Sequence, residues 1–156
     1  MSKEILVEEN KVLKLKNVFI KTMIIDEEFT KVPFEKRIKD FEDYVRNNDY
    51  LPFGPLIIRN SIIGTEEAKI QLKLMIQLKK EINVIPPYEF IKELKTKPCL
   101  FSRFIGEEKD SGLAGSKMQV YAYEHDLVLD VESYSITKKE DSHIVMDTFV
   151  PIIGRC

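Results

Sequence analysis

The side chains that most often carry metal or nucleophilic chemistry are few in this chain and poorly spaced for it. Of 156 residues, two are histidine and two are cysteine. His125 and His143 are far apart, and neither has a second histidine or a cysteine at ligand spacing, so no metal and no cofactor are expected. Cys99 and Cys156 are too few for a disulfide framework, which favours a reducing compartment.

Two short runs resemble catalytic or phosphate-binding motifs but fail on geometry. Ser142, His143 and Asp147 would make a Ser-His-Asp set on paper, yet adjacent residues of a strand point to opposite faces. Gly112 lies only three residues before Gly115, whereas the first glycine of a phosphate-binding loop lies five before the second. Neither run predicts an enzyme.

Side chains that could line a binding cleft are more common. Tyr88, Tyr121 and Tyr123 could form walls for a flat ligand, although tyrosines serve equally as core or rim residues. Arg103, on a predicted strand, could pair with a ligand carboxylate or with Glu132. A surface salt bridge is the alternative for this arginine.

The bulk composition indicates a globular protein with no preference for polyanions. Hydrophobic residues make up 44% of the chain and charged residues 32%, a balance typical of soluble domains. The net charge is -2, with lysines and glutamates interspersed, so neither nucleic acid nor a membrane surface is expected as a partner. Residues 1–7 contain only a short apolar run, Ile5-Leu6-Val7, which is too short for a signal peptide, and a cytoplasmic location is expected.

The first half of the chain reads as a strand, a helix and two strands. Residues 1–10 are polar and predict a loose lead-in, and residues 12–25 are β-branched and apolar, as in a strand. A helix is predicted from Pro33, because Phe34, Ile38, Phe41 and Val45 recur at helical spacing. Residues 56–63 predict a strand, and residues 69–79 alternate between apolar and polar with period two, as in an antiparallel strand with one face buried and one in solvent.

The same order recurs in the second half. A link with two prolines at residues 84–88 separates the halves. Strand residues 90–105, interrupted at 95–98, are followed by a helix from Ser111 to about Asp126 and by strands at 127–137 and 144–153. We expect the inner face of this helix to carry apolar and small residues: Leu113, Ala114, Met118, Tyr121 and Ala122.

Together these patterns predict one α+β domain over residues 11–156. Repeat 1 covers about residues 11–82 and repeat 2 about residues 89–153. Since neither half would bury much apolar surface alone, we expect two strand-helix-strand-strand repeats to share an antiparallel sheet with two helices on one face. A cleft at the repeat seam would then be the natural binding site.

This order resembles the effector-binding domain of AraC-type and MerR-type multidrug regulators, a fold that also occurs alone in gyrase-inhibitor-like proteins and, more distantly, in haem-binding SOUL proteins. Residues 53–55 (Phe-Gly-Pro) match the Gly-Pro that often precedes a family strand, residues 132–134 (Glu-Ser-Tyr) match its Glu-x-Tyr, and residues 147–152 resemble its closing strand. The chain departs from the family at residues 105–108, which replace its Gly-Pro-Tyr, and it has no tryptophan and no DNA-binding helices.

The resemblance implies a non-enzymatic protein that binds a small amphipathic or cationic aromatic molecule. In the family, a carboxylate at the base of the cleft receives the cation, and Glu132 would take that role, with Tyr134 on the same face of a strand. The alternative is that Glu132 lies on a solvent face beside Asp130.

Two other functions stay open. The chain is also similar to uncharacterised small proteins encoded beside type VII secretion toxins of Gram-positive bacteria, which implies an adaptor or chaperone for a partner protein. Some members of the effector-binding-domain family are similar to hydrolases. If this chain were such an enzyme, Glu132 and Tyr134 would be the catalytic pair. A homodimer through an exposed sheet edge is left open as well.

Overall fold

The computed structural model describes residues 4–156 and has the α+β architecture that the sequence predicts. Within these residues, no helix is both long enough and apolar enough to cross a membrane. The strands are β1 (Glu4–Lys11), β2 (Lys14–Ile24), β3 (Ile57–Ile63), β4 (Lys69–Gln77), β5 (Tyr88–Lys95), β6 (Cys99–Gly106), β7 (Leu127–Leu129), β8 (Ser133–Lys139) and β9 (Ile144–Arg155). The helices are α1 (Glu27–Thr30), α2 (Phe34–Asn47) and α3 (Gly112–Glu124), with a 3₁₀ turn at Glu108–Asp110.

The chain divides into two compact units. The central unit is Lys14–Leu94, and the terminal unit is residues 4–13 together with Lys95–Cys156. Within the central unit the strand order is β3-β4-β2-β5, and within the terminal unit it is β8-β9-β6-β1, with β7 also paired to β9. The boundary between the two units falls after β5, which pairs with β2.

The central unit has an aromatic core beneath α2. The helix begins after Pro33 and its apolar stripe places Phe41 and Val45 against the sheet. The fully buried ring of Phe19 on β2 lies at the middle of this cluster. The strand at β4 is confirmed, but Met75 is buried as well, so its two faces do not divide into core and solvent as the alternation predicts.

The terminal unit begins with a strand where the sequence predicts a loose segment. Glu4–Lys11 pairs antiparallel with β6, so the lead-in prediction is wrong for residues 4–10, and residues 1–3 lie outside the described part. The physical reason is alternation: Ile5 and Val7 point to one face and pack against the clusters beneath α3. Their partner strand lies about a hundred residues away, where no local pattern reveals it.

The helix α3 packs through small side chains. Ala114, Met118 and Ala122 are buried, as the sequence predicts. Leu113, which was expected on the inner face, is 43% exposed. One helix face spans a limited arc, and Leu113 lies a quarter-turn or more outside the arc that Ala114, Met118 and Ala122 share.

Two further segments differ from the sequence prediction. Residues 26–30, expected to be a simple connection, contain α1, because the Asp26 side chain accepts a hydrogen bond from the Phe29 amide and caps the turn. Residues 127–137, expected to be one strand, form β7 and β8 with a break at residues 130–132. This break lies at the pocket described next.

Candidate ligand pocket

One wall of a pocket in the terminal unit is the connection from β7 to β8. The Asp130 amide donates to the Pro151 carbonyl of β9 at 2.9 Å, and the Asp130 carboxylate accepts from the Val131 amide at 2.7 Å. These bonds fix the turn. Glu132 follows, half-buried and one residue before β8, and Tyr134 on β8 is buried.

The opposite wall is the link between β5 and β6. Thr96 is buried here, and its hydroxyl accepts from the Leu13 amide at 3.0 Å while its own amide donates to the Leu13 carbonyl at 3.0 Å. The Cys99 thiol also donates to the Thr96 hydroxyl, at 3.5 Å. Thr96 is thereby held from three sides, while its neighbours Lys95 and Lys97 are exposed.

The pocket between these walls has a volume of about 240 Å³. Drug-sized ligands usually occupy roughly 300–1,000 Å³, so this pocket suits a molecule of about one ring with a short polar arm. Its lining combines two carboxylates, two lysines, a tyrosine, a threonine and a proline: Asp130, Glu132, Lys95, Lys97, Tyr134, Thr96 and Pro151. Such a lining offers charge of both signs beside an apolar surface.

The Cys99 thiol near this pocket has low reactivity because of its surroundings. Burial raises its pKa, and the negative charge of Glu132 raises it further. The thiol therefore stays protonated at neutral pH and is a poor nucleophile.

Glu132 and Tyr134 are the two predicted site residues that the structure brings to one pocket. Asp130, Thr96, Lys95 and Lys97 were not predicted for the site. The sequence feature that could have indicated them is the presence of charged residues at two interruptions between strands, residues 95–98 and 130–132. Side chains from such connecting segments can converge on one site.

Arg103 does not line the Glu132 pocket. It lies on β6, where its guanidinium makes two bonds to the Asp147 carboxylate, Nε to Oδ1 at 2.8 Å and Nη2 to Oδ2 at 2.9 Å. The side chain is 49% exposed, and Asp147 raises the pKa of Arg103. This geometry is the surface salt bridge that the sequence left open as the alternative.

The two tyrosines of α3 lie apart from the pocket lining. The Tyr121 hydroxyl donates to Glu9 Oε2 at 2.7 Å, and Arg155 donates to Glu9 Oε1 at 2.6 Å. Arg155 and then Tyr121 lower the pKa of Glu9, and the bond to Glu9 raises the pKa of Tyr121. Tyr121 thus links β1, α3 and β9, whereas Tyr123 is 86% exposed.

Tyr88 belongs to the central unit. Its ring stacks on Tyr44 with a centroid distance of 4.3 Å and on Phe19 at 5.0 Å. Burial, followed by the proximity of Tyr44, raises its pKa. Tyr88 is therefore part of the aromatic core of the central unit, which is the alternative role that the sequence analysis gave for the tyrosines.

The histidines and cysteines do not gather into a metal centre within residues 4–156, where no group of three or more His, Cys, Asp or Glu side chains is placed to hold an ion. His125 stacks on Tyr121 at 3.8 Å. Cys99 and Cys156 are both free thiols.

The chain is distantly similar to a solved bacterial protein. That protein is a candidate bacterial transcription regulation protein from Staphylococcus aureus MU50, with 10% sequence identity and a TM-score of 0.46 over 94% of this chain and 99% of that chain. No protein-family model matches the chain, and no curated protein matches it. A similarity at this level carries no argument about function.

Proposed function

We propose that this chain is a cytoplasmic, non-enzymatic binding protein that holds a small amphipathic molecule with a cationic aromatic group in the Glu132 pocket. The observation that carries the proposal is that the Asp130 and Glu132 carboxylates line one pocket with the buried ring of Tyr134. Two carboxylates attract a cation, and an aromatic wall beside them adds the attraction of its π face.

The two lysines narrow the ligand class. Lys95 and Lys97 line the same pocket and balance the two carboxylates in charge. A ligand with a positive group alone gains from one side of the pocket and is repelled by the other. A ligand with a cationic group at one end and an acceptor or carboxylate at the other satisfies both sides.

The duplicated fold belongs to the same proposal. The strands β3-β4-β2 of the central unit and β8-β9-β6 of the terminal unit follow the same order, which supports the two strand-helix-strand-strand repeats and, with them, the gyrase-inhibitor-like interpretation. In that interpretation Glu132 of the second repeat is the counter-charge.

The test is a thermal-shift titration with 4-amidinobenzoate, a one-ring molecule with a cation at one end and a carboxylate at the other, and with 4-carbamoylbenzoate, in which a neutral amide replaces the cation. A ligand that binds the native state at about a hundredfold excess over its Kd stabilises the protein by about 2.7 kcal/mol. We expect 4-amidinobenzoate to raise the Tm and 4-carbamoylbenzoate not to, and Glu132→Gln to abolish the shift. Glu124→Gln, an exposed carboxylate on α3, is the matched control and keeps the shift. Equal binding by wild type and Glu132→Gln would remove the pocket from consideration.

A protein-binding adaptor is the second candidate function, because the outer face of α3 is apolar. Leu113, Val120 and Tyr123 are 43%, 55% and 86% exposed, and they recur at helical spacing. Soluble proteins seldom leave such residues together without a partner. Two results together would favour this function over the pocket. No ligand would shift the Tm, and a partner protein captured by wild type would be lost with Val120→Lys but kept with Gln119→Lys.

A further inference from the structure

The strand β1 lies in a groove that recognises it by backbone and by side chain. Its backbone pairs with the edge of β6 from Glu4 opposite Ile105 to Glu8 opposite Phe101. Ile5 packs on one cluster beneath α3 and Val7 on a second. The first cluster contains Phe104, Ala114 and Ile144, and the second contains Leu100, Met118, Ala122 and Leu127.

Three polar contacts complete the groove. Lys117 donates from Nζ to the Ile5 carbonyl at 2.8 Å, while Tyr121 and Arg155 both bind the Glu9 carboxylate. The groove therefore selects an extended segment with two apolar side chains at alternate positions and a carboxylate two residues further on. Strand addition to a sheet edge, with pockets for alternate side chains, is a general mode of peptide recognition.

The contacts of β1 are of a kind that can be released. None of its side chains is fully buried, and it has a β6 neighbour on one side only, since it ends the strand order. Edge strands with few buried contacts open at lower free energy than core strands. After β1, Leu13 still bonds to Thr96 in the terminal unit, and Lys14 already begins β2 in the central unit. Only Val12 and Leu13 lie between β1 and β2.

We propose that the groove between β6 and α3 is a strand-binding site, and that β1 of a second copy of this chain occupies it in exchange for the chain's own β1. An exchanged strand makes the same contacts in the partner as in its own chain, so exchange changes only the connection and the entropy of association. A short connection such as Val12–Leu13 is the arrangement in which exchange is favoured. The proposal is independent of the Glu132 pocket.

The experiment uses directly paired residues as reporters. Leu6 lies opposite Arg103 in the ladder between β1 and β6, and both side chains are exposed. One full-length chain carries Leu6→Cys and another carries Arg103→Cys, each with Cys156→Ser. The two proteins are mixed at high concentration, partly unfolded, refolded together and oxidised.

We expect a disulfide between residue 6 of one chain and residue 103 of the other, seen as a dimer on a non-reducing gel and as the linked peptide by mass spectrometry. Leu6→Cys with Arg103→Cys in one chain is the positive control, because it forms the bond within the monomer. If the control oxidises and the mixture gives no linked peptide between chains, strand exchange does not occur and the proposal fails.

Discussion

The strands β3-β4-β2 of the central unit and β8-β9-β6 of the terminal unit follow the same order, but the two units fill their cores differently. Beneath α2, Phe19 contacts four other rings, with centroid distances of 5.5 Å to Phe41, 5.9 Å to Tyr44, 5.3 Å to Tyr50 and 5.0 Å to Tyr88. Beneath α3, the buried helix residues are two alanines and one methionine. The helix α2 therefore packs through aromatic rings, whereas α3 packs through small side chains and a methionine.

The outer faces of the two helices differ in the opposite sense. The outer face of α2 carries ion pairs at helical spacing, from Lys36 to Asp40 and from Lys39 to Asp43. The outer face of α3 exposes Val120 and Tyr123. Charged pairs of this kind stabilise an exposed helix, whereas exposed apolar side chains favour contact with another molecule.

The edge strands also differ in origin. The central unit takes β5, which follows β4 directly in the chain, whereas the terminal unit takes β1 from the other end of the chain. Closing a longer loop costs more entropy, although the cost grows only with the logarithm of its length. The polar features of the molecule, namely the Glu132 pocket and the Glu9 contacts, lie in the unit assembled from distant segments.

The largest expected effect tests whether the two units unfold separately. Phe19→Ala removes the ring at the middle of the aromatic core and should lower the free energy of unfolding by about 3–5 kcal/mol. If the units are separate cooperative bodies, amide hydrogen exchange will accelerate within residues 14–94 and remain slow within residues 95–156.

Phe53→Ala is the matched control in the same unit. Phe53 is 59% exposed, and the change should stay within about 0.5 kcal/mol, as for most surface positions. Faster amide exchange in both units of Phe19→Ala would show that the chain unfolds as a single body, and the two units would then not be separate cooperative bodies.

A smaller effect of opposite sign is expected in the terminal unit. Ser102 is fully buried on β6, on the α3 side with Leu100 and Phe104, and within the described residues its hydroxyl oxygen has no hydrogen-bond partner. Burying an unsatisfied hydroxyl is unfavourable, so Ser102→Ala should raise the free energy of unfolding by about 1 kcal/mol in urea denaturation. Ser135→Ala on β8 is the control, and a loss of stability in Ser102→Ala would mean that the hydroxyl is satisfied.

The last prediction concerns pH and the contacts of β1. Arg155 and Tyr121 hold the pKa of Glu9 below 4.5 in the folded chain. Between the folded and the unfolded pKa of Glu9, the folded chain binds fewer protons than the unfolded chain. The contribution of Glu9 to stability is therefore fully present above the unfolded pKa and is lost as the pH falls through the folded pKa.

Glu9→Gln should therefore flatten the decline in stability between about pH 5 and about pH 2 in urea denaturation. Glu124→Gln, which changes an exposed carboxylate of the same unit, should leave the decline as it is in wild type. An unchanged decline in Glu9→Gln would show that its contacts do not contribute to acid sensitivity.

Local patterns in the sequence predicted the elements whose periodicity is strong. The stripe through Phe41 and Val45 located α2, and the alternation around Leu74 located β4, because the period of the side chains alone determines the element. The sequence also predicted Glu132 and Tyr134 for one site, and both line one pocket.

Long-range pairing was the part that could not be predicted. Residues 4–10 form a strand only because β6 supplies the edge that they complete, and nothing near them encodes that partner. The opposite wall of the pocket, around Thr96, escaped for the same reason, since its position depends on Leu13. The exposure of Leu113 depends on how α3 is rotated on the sheet, which the weak pattern of that helix does not fix.

The order in which the chain leaves the ribosome follows from the origin of β1. The central unit is complete once Leu94 has emerged, whereas the groove for β1 is complete only with Arg155. At a synthesis rate of roughly 5–20 residues per second, the intervening sixty or so residues take about 3–12 s. Throughout that interval Ile5, Leu6 and Val7 of the nascent chain lack the groove that pairs them, and such a segment is of the kind that chaperones and neighbouring nascent chains bind.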